Sequence, residues 1–161
     1  MITILLLLYT LTFSNLSYGQ PSIERAEADA QLNGSILPGT IARSINQKRL
    51  FNLNDGKGNQ FIVERTTRAA NTRTPIHLHD HGGVTCVIEG EMTLYLEKSE
   101  PKRAVAGECY YMPADLMMAG FNSGTTNAVM HDMFTLPLGA SIWRVVEKNA
   151  ESYQDQFEKH H

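Results

Sequence analysis

The chain has little charge and no basic cluster. Of its 161 residues 19% are charged, and the net charge at pH 7 is −3. A protein whose main partner is nucleic acid needs a basic surface that matches the phosphate backbone. The composition therefore argues against nucleic acid as a partner.

Cysteine is also scarce, with Cys86 and Cys109 the only two in the chain. Their spacing is not that of a zinc knuckle. Both lie in segments that have the pattern of strands, so they could form a disulfide in an exported protein. The sequence leaves that pairing open, because it does not show whether the two strands meet.

The chain lacks an apolar run of the about 20 residues that a membrane span needs. The apolar segment at the start of the sequence is shorter, and small residues follow it at Ser17 and Gly19. This pattern predicts a signal peptide over residues 1–19, cleaved after Gly19. We therefore expect a secreted or periplasmic protein with no membrane span after cleavage.

The rest of the sequence alternates short β-rich segments with turn signals. Asn54-Asp55-Gly56 separates two such segments and predicts a hairpin. Further strands are expected over residues 84–88, 91–97, 102–105, 108–112, 115–121, 126–136 and 141–147, which indicates an antiparallel sandwich or barrel. Tyr110 and Tyr111 are adjacent on one of these strands, so at most one of them faces the interior.

This pattern predicts a single domain with short terminal helices. Residues 20–48 form an N-terminal extension, in which a short helix could begin at Ser22. The β-barrel occupies residues 49–148. A C-terminal helix or tail occupies residues 149–161, with Tyr153 and Phe157 as its apolar contacts four residues apart.

Histidine is concentrated in one place. Three of the six histidines, His77, His79 and His81, alternate within five residues. In an extended chain alternate side chains point to the same face, so His77 and His79 would project together. Two imidazoles on one face of a strand make half of a transition-metal site.

The order of these residues resembles the two motifs of the cupin superfamily. In the first motif Asn71 stands at the opening glycine, His77 and His79 at the paired ligands, and Glu89-Gly90 at the close. In the second, Gly107 and Pro113 match the opening and Asn122 the final position. Asn71 is an acceptable replacement for glycine, because asparagine also adopts left-handed backbone angles. The resemblance covers about residues 60–136 and implies an all-β fold, a β-jelly-roll barrel.

Two ligand positions differ from that pattern. Gly83 stands where the family has a glutamate ligand, and Met118 stands at the histidine of the second motif. Three residues are weaker candidates to complete a site with His77 and His79. His81 has the same parity, His131 lies on the strand after the second motif, and the Met118 thioether suits copper.

The resemblance implies a divalent transition metal (Fe, Mn, Ni, Zn or Cu) and a metal-dependent dioxygenase, isomerase or lyase that acts on an unknown small molecule. The alternative is a non-catalytic module that binds a small molecule or carbohydrate in a pocket lined by Met117, Phe121 and Met133, beside Met118. A lesser alternative is a copper-handling protein that uses Met118 with the two histidines. A homodimer is an expectation from the family alone.

Overall fold

The computed structural model describes residues 31–156, which consist of short and medium strands and one short helix. The strands are β1 (Gln31–Leu32), β2 (Ser35–Ile36), β3 (Thr40–Ile41), β4 (Asn46–Asn54), β5 (Asn59–Arg68), β6 (Thr72–Arg73), β7 (His77–Leu78), β8 (Gly83–Glu89), β9 (Glu91–Leu96), β10 (Lys102–Val105), β11 (Cys109–Met112), β12 (Met118–Phe121), β13 (Ala128–Pro137) and β14 (Arg144–Val145). A 3₁₀-helix, Glu151–Gln156, follows β14.

Two large sheets contain most of these strands. The five-stranded sheet has the order β11-β8-β13-β5-β4. The seven-stranded sheet has the order β10-β9-β12-β6-β3, and β7 joins it by pairing with β12 and β14. The neighbours are antiparallel except for β3 and β6, which run parallel. The all-β jelly-roll architecture predicted from the sequence is confirmed.

The main hydrophobic core lies between the two sheets. It joins Val87 and Phe134 of the five-stranded sheet to Met92 and Met118 of the seven-stranded sheet. Ala119, the next residue on β12, belongs instead to a second cluster with Leu32, Leu37, Ile76 and Leu78. Because neighbouring residues of a strand face opposite ways, the second cluster covers the other side of the seven-stranded sheet.

Two local predictions from the sequence are confirmed. β4 and β5 form an antiparallel hairpin around the turn that contains Asp55 and Gly56. Asn71 has a φ of 57°, the left-handed backbone conformation expected for a residue that replaces a motif glycine.

Cys86 and Cys109 form a disulfide. They are directly paired residues of β8 and β11, and their sulfur atoms are 2.07 Å apart. The bond joins an edge strand to its neighbour. His131 is the residue of β13 opposite Cys86, so it lies on the same face as the disulfide.

The predicted ends of the domain are only partly covered. The signal peptide (residues 1–19), residues 20–30 of the extension with the short helix expected from Ser22, and Phe157 lie outside the described residues. Within the described part, strands begin at Gln31 and the boundary predicted at residue 49 falls inside β4. The C-terminal helix is a six-residue 3₁₀-helix in that part. Between residues 31 and 156 we find no helix long and apolar enough to cross a membrane.

Candidate metal and ligand site

His77 and His79 lie at the edge of the main core, where β7 is held between β12 and β14. Both side chains are buried, with 4% and 3% of their surface exposed. His77 packs against the Trp143 ring at a centroid distance of 4.8 Å, and His79 packs against the Phe134 ring at 5.0 Å. The two imidazoles therefore have fixed positions.

A buried ion pair supports the segment that leads into β7. Arg73 and Glu147 form a bidentate pair with N–O distances of 2.6 and 2.8 Å. Glu147 also accepts a hydrogen bond from the backbone N–H of Ile76 at 2.8 Å. Because Ile76 precedes His77 directly, this pair fixes the backbone that carries the first imidazole.

The hydrogen bonds of the two rings determine their tautomers. Nδ1 of His77 lies 2.8 Å from the carbonyl oxygen of Pro75, and Nδ1 of His79 lies 2.7 Å from that of Ile142. A carbonyl oxygen only accepts, so each Nδ1 carries the proton. The two Nε2 atoms, 3.2 Å apart, therefore face each other with lone pairs.

Protonation does not relieve this contact near neutral pH. Burial lowers the pKa of His77 well below its ordinary value, and the neighbouring His79 lowers it further. Burial also lowers the pKa of His79, to about 4. Both rings are thus neutral at pH 7, and two unprotonated nitrogens point at the same place.

His77 and His79 line a small, partly open cavity between the sheets, with a volume of ≈ 50 Å³. Its polar side chains come mainly from the five-stranded sheet and its apolar ones from both sheets. Besides the two histidines and Gly120, the cavity is lined by Thr66, Arg68, Thr74, Thr85, Tyr110, Asp132, Met92, Leu94, Met112, Met130, Phe134 and Trp143.

Among the described residues, Asp132 is the only carboxylate that lines this cavity. It accepts hydrogen bonds from the Thr66 hydroxyl at 2.7 Å and from the Thr85 hydroxyl at 2.6 Å. Burial raises the pKa of Asp132, while the two hydroxyl donors and the charge of Arg68 act in the opposite direction. Tyr110 lies beside this group, and burial raises its pKa, so its hydroxyl remains protonated.

The structure explains the residue at the missing glutamate position. Gly83 faces the interior, and a Cβ added there would lie 2.5 Å from Cε1 of Phe134. The Phe134 ring therefore occupies the space that a longer side chain at Gly83 would need. Met118 stands at the position of the second-motif histidine. It lies on β12, is paired with His77 of β7 and is fully buried in the main core, but it does not line the cavity.

The other two histidine candidates point away from the cavity. His81 is exposed and borders an open depression with Tyr111 and Met133 on the outer side of the five-stranded sheet. His131 is half-buried on that same outer face, because its neighbour Asp132 faces inward. Neither imidazole lies with His77 and His79.

The three residues predicted as pocket lining also lie elsewhere. Met117 packs against the second cluster, and Phe121 contacts Gly39 and Tyr95. Met133 borders the outer depression with His81. The prediction placed them inside because they are apolar, but strand parity directs Phe121 and Met133 away from the cavity, and Met117 precedes β12.

Sequence reasoning did not single out Arg68, Thr66, Thr85 or Asp132 as site residues. One signal was available for Thr85. The motif fixes position 83 as inward, and the period of two then makes position 85 inward as well. No residue of β5 or β13 stands at a motif position whose direction is known, so the sequence does not show which of their side chains face inward.

The two imidazoles fit a transition metal in part. Two nitrogen ligands at about 2.1 Å from a metal are separated by about 3.0 Å at a right angle and by about 3.4 Å at a tetrahedral angle. The Nε2–Nε2 distance of 3.2 Å lies between these values. Residues 31–156 contain no group of three or more His, Cys, Asp or Glu side chains that could hold a metal ion. Further ligands would have to come from water or from a bound molecule.

No protein-family model and no curated protein matches the sequence. Several solved structures are similar to it in fold. A protein with a double-stranded β-helix domain from Klebsiella pneumoniae has a TM-score of 0.52 at 20% identity, over 66% of this chain and 86% of that one. The DMSP lyase DddQ from Ruegeria pomeroyi has a TM-score of 0.53 at 14% identity, over 63% of this chain and 51% of that one.

A third structure, an RmlC-like cupin family protein with a double-stranded β-helix fold from Methanocaldococcus jannaschii, has a TM-score of 0.48 at 22% identity. It covers 57% of this chain and 80% of that one. The similarity to the first two structures, at 20% and 14% identity, establishes the fold, and the chemistry has to be argued from the site.

Proposed function

The chain has the cupin fold, and on that premise we propose that it binds a divalent transition metal through His77 and His79 and holds a small molecule in the adjoining cavity. The metal is one of Fe, Mn, Ni, Zn or Cu. The observation that carries this proposal is the pair of Nε2 lone pairs facing each other at 3.2 Å, with both Nδ1 atoms committed to carbonyl oxygens. A cation between them removes the repulsion.

A bound divalent metal supplies Lewis acidity, which polarises a carbonyl or lowers the pKa of a coordinated water. The protein residues do the remaining work. Trp143 and Phe134 fix the imidazole rings and exclude water, the carbonyl oxygens of Pro75 and Ile142 fix the tautomers, and the Tyr110 hydroxyl holds a proton inside the cavity. Two protein ligands leave coordination positions open for a reacting molecule, as dioxygenase, isomerase or lyase chemistry requires.

A second candidate function is a non-catalytic binding module. It is favoured by Phe134, which fills the space at the position where a carboxylate ligand would stand. A protein of this kind purifies without metal and keeps its melting temperature in a chelator. The copper-handling alternative has less support, because Met118 does not line the cavity with the two histidines.

Export of the chain is part of this proposal. The apolar segment of residues 1–19 supports it, and so does the disulfide between Cys86 and Cys109, because disulfides persist in oxidising compartments. The corresponding test is the N-terminal residue of the mature protein, which should be Gln20 when the full sequence is expressed in an exporting host.

The proposal is tested by the metal content of the full chain, purified without an affinity tag and measured by inductively coupled plasma mass spectrometry. We expect about one transition metal per chain, and its loss in His77→Ala/His79→Ala. The matched control is His81→Ala/His131→Ala, which removes two outward histidines and should retain the metal. A folded wild-type protein that contains no metal and does not take it up would overturn the proposal.

A further inference from the structure

A buried arginine inside the cavity has no counter-ion in contact with it among residues 31–156. Arg68, at the end of β5, is 1% exposed and lines the cavity together with His77 and His79. Its Nη1 donates to the carbonyl oxygen of Ala42 at 2.8 Å, while its Nε is buried without a hydrogen-bond partner. The ion pairs found within residues 31–156 do not include Arg68. A buried guanidinium N–H without an acceptor is energetically costly, so its presence needs an explanation.

The positive charge of Arg68 affects the pKa values of other groups that line the cavity. Burial raises the pKa of Tyr110 and of Asp132, and the charge of Arg68 acts against that rise in both. Burial lowers the pKa of Arg68 to about 10, and the negative charge of Asp132 opposes that lowering. Asp132, however, is already bound by the Thr66 and Thr85 hydroxyls, and it does not supply an acceptor to the Arg68 Nε.

A metal at the histidines makes the charge imbalance larger. An ionised Asp132 balances the charge of Arg68, and imidazoles that carry a proton on Nδ1 alone are uncharged. A divalent ion would then leave two uncompensated positive charges in a cavity of ≈ 50 Å³. Charges in a poorly solvated interior require compensation, and a carboxylate that contacts both the guanidinium and the metal provides half of it.

The size of the cavity limits that anion. A water molecule needs about 10–15 Å³ of this kind of volume, so ≈ 50 Å³ accommodates roughly three to five water-sized groups. After one position is assigned to a metal, the remainder suits a carboxylate with one or two carbon atoms. Met92, Met112 and Leu94 provide apolar walls for a short alkyl part.

We propose that Arg68 binds the carboxylate group of a one- or two-carbon carboxylic acid, whose other oxygen reaches toward the metal position at His77 and His79. Only the second of these contacts rests on the proposed function. A planar guanidinium matches carboxylate geometry better than any other side chain does, and the Arg68 Nε–H has no acceptor. The ligand class is thus a small organic anion rather than a sugar or an extended aromatic compound.

The test measures binding of acetate and formate to the full-length protein by isothermal titration calorimetry, with and without added Zn²⁺ or Mn²⁺. Acetamide has the shape of acetate but no charge, and it serves as the ligand control. We expect the wild-type protein to bind acetate at least about tenfold more tightly than acetamide. Arg68→Met should weaken acetate binding by about tenfold or more, while Arg65→Met, on the outer face of the same strand, should leave it within about twofold.

Arg68→Lys is the second variant, because it retains the charge if Arg68→Met does not fold. It should keep some acetate binding and lose part of the affinity. The inference is overturned if folded wild-type protein binds acetate and acetamide equally or binds neither, or if Arg68→Met binds acetate as the wild type does.

The metal measurement separates this inference from the proposed function. Metal bound at His77 and His79 without Arg68-dependent acetate binding overturns the inference alone. Arg68-dependent acetate binding by a protein that takes up no metal supports the role of Arg68 and overturns the proposed metal function.

Discussion

Two neighbouring rows of residues cross the five-stranded sheet, one on its inner face and one on its outer face. The inner row of a sheet is usually apolar and the outer row polar, but here the polarity of the two rows is reversed. The inner row contains Tyr110, Thr85, Asp132 and Glu64, with 4%, 2%, 8% and 0% of their surface exposed. The outer row is formed by Tyr111, Val84, Met133, Val63 and Phe51. The polar row is buried and the apolar row borders solvent, with Tyr111 61% exposed.

The difference shows which polar groups have compensation and which do not. Glu64 is paired with Arg49 at 2.7 Å, and Asp132 accepts two hydroxyl hydrogen bonds. Arg68 and the two facing Nε2 atoms, on the same side of the sheet, lack a comparable partner. Among the groups that line the cavity, we assign to ligands the Arg68 Nε and the two facing Nε2 atoms, which the fold leaves without a compensating partner.

The largest difference in stability between variants of the two rows is expected when the buried carboxylate of Asp132 is removed. Asp132→Ala leaves the Thr66 and Thr85 hydroxyls without their acceptor and Arg68 without a nearby negative charge. We expect the free energy of unfolding to fall by about 3–5 kcal/mol. Met133→Ala, the next residue and a member of the outer row, should lower it by about 1 kcal/mol. Urea denaturation of both variants measures this difference, and equal losses would contradict the contrast between the rows.

The pH dependence of the metal-free protein should differ between an inward and an outward histidine. The pKa of His79 is about 4 in the folded protein and 6.5 in the unfolded chain, so the unfolded chain binds more protons between these values. Stability is therefore complete above pH 6.5 and falls as the pH decreases toward 4, by about 3 kcal/mol from His79 alone. The raised pKa of Asp132 acts with the opposite sign.

A variant comparison isolates the contribution of His79. His79→Gln should reduce the loss of stability between pH 7 and pH 5 in denaturant titrations, whereas His131→Gln on the outer face should leave the pH dependence closer to that of the wild type. If His79→Gln and the wild type lose the same free energy, the imidazole is not held neutral by burial.

A smaller effect is expected at the glutamate position of the family motif. Gly83→Ala places a methyl group against the Phe134 ring and should lower the free energy of unfolding by about 1–3 kcal/mol. Val84→Ala, in the outer row, should lower it by less than about 1 kcal/mol. A double-mutant cycle with Phe134→Leu should show that the Gly83→Ala effect shrinks when the ring is removed, and additive effects would mean that the ring is not the obstacle.

The strands were predictable because turn residues separate them clearly, and His77 and His79 because a His-x-His pair is recognisable without any structure. The cavity residues Arg68 and Asp132 were not. In β5, Ile62 and Val63 are adjacent, so hydrophobicity does not tell which parity faces inward. The same ambiguity on β13 led to Met133 being assigned to the pocket, although it lies on the outer face. Pairing of β5 and β13 with their neighbours, which fixes the parity, requires contacts distant in sequence.

The central claim is that the two inward imidazoles present unprotonated Nε2 atoms to one metal ion. Long-range ¹H–¹⁵N correlation spectra of the histidine rings, recorded at pH 7 before and after addition of Zn²⁺, test it most directly. We predict that His77 and His79 are both protonated at Nδ1 alone, and that Zn²⁺ shifts both Nε2 resonances while those of His81 and His131 remain unchanged. Nε2 protonation of either ring in the metal-free protein, or Nε2 shifts that Zn²⁺ does not alter, would contradict the account.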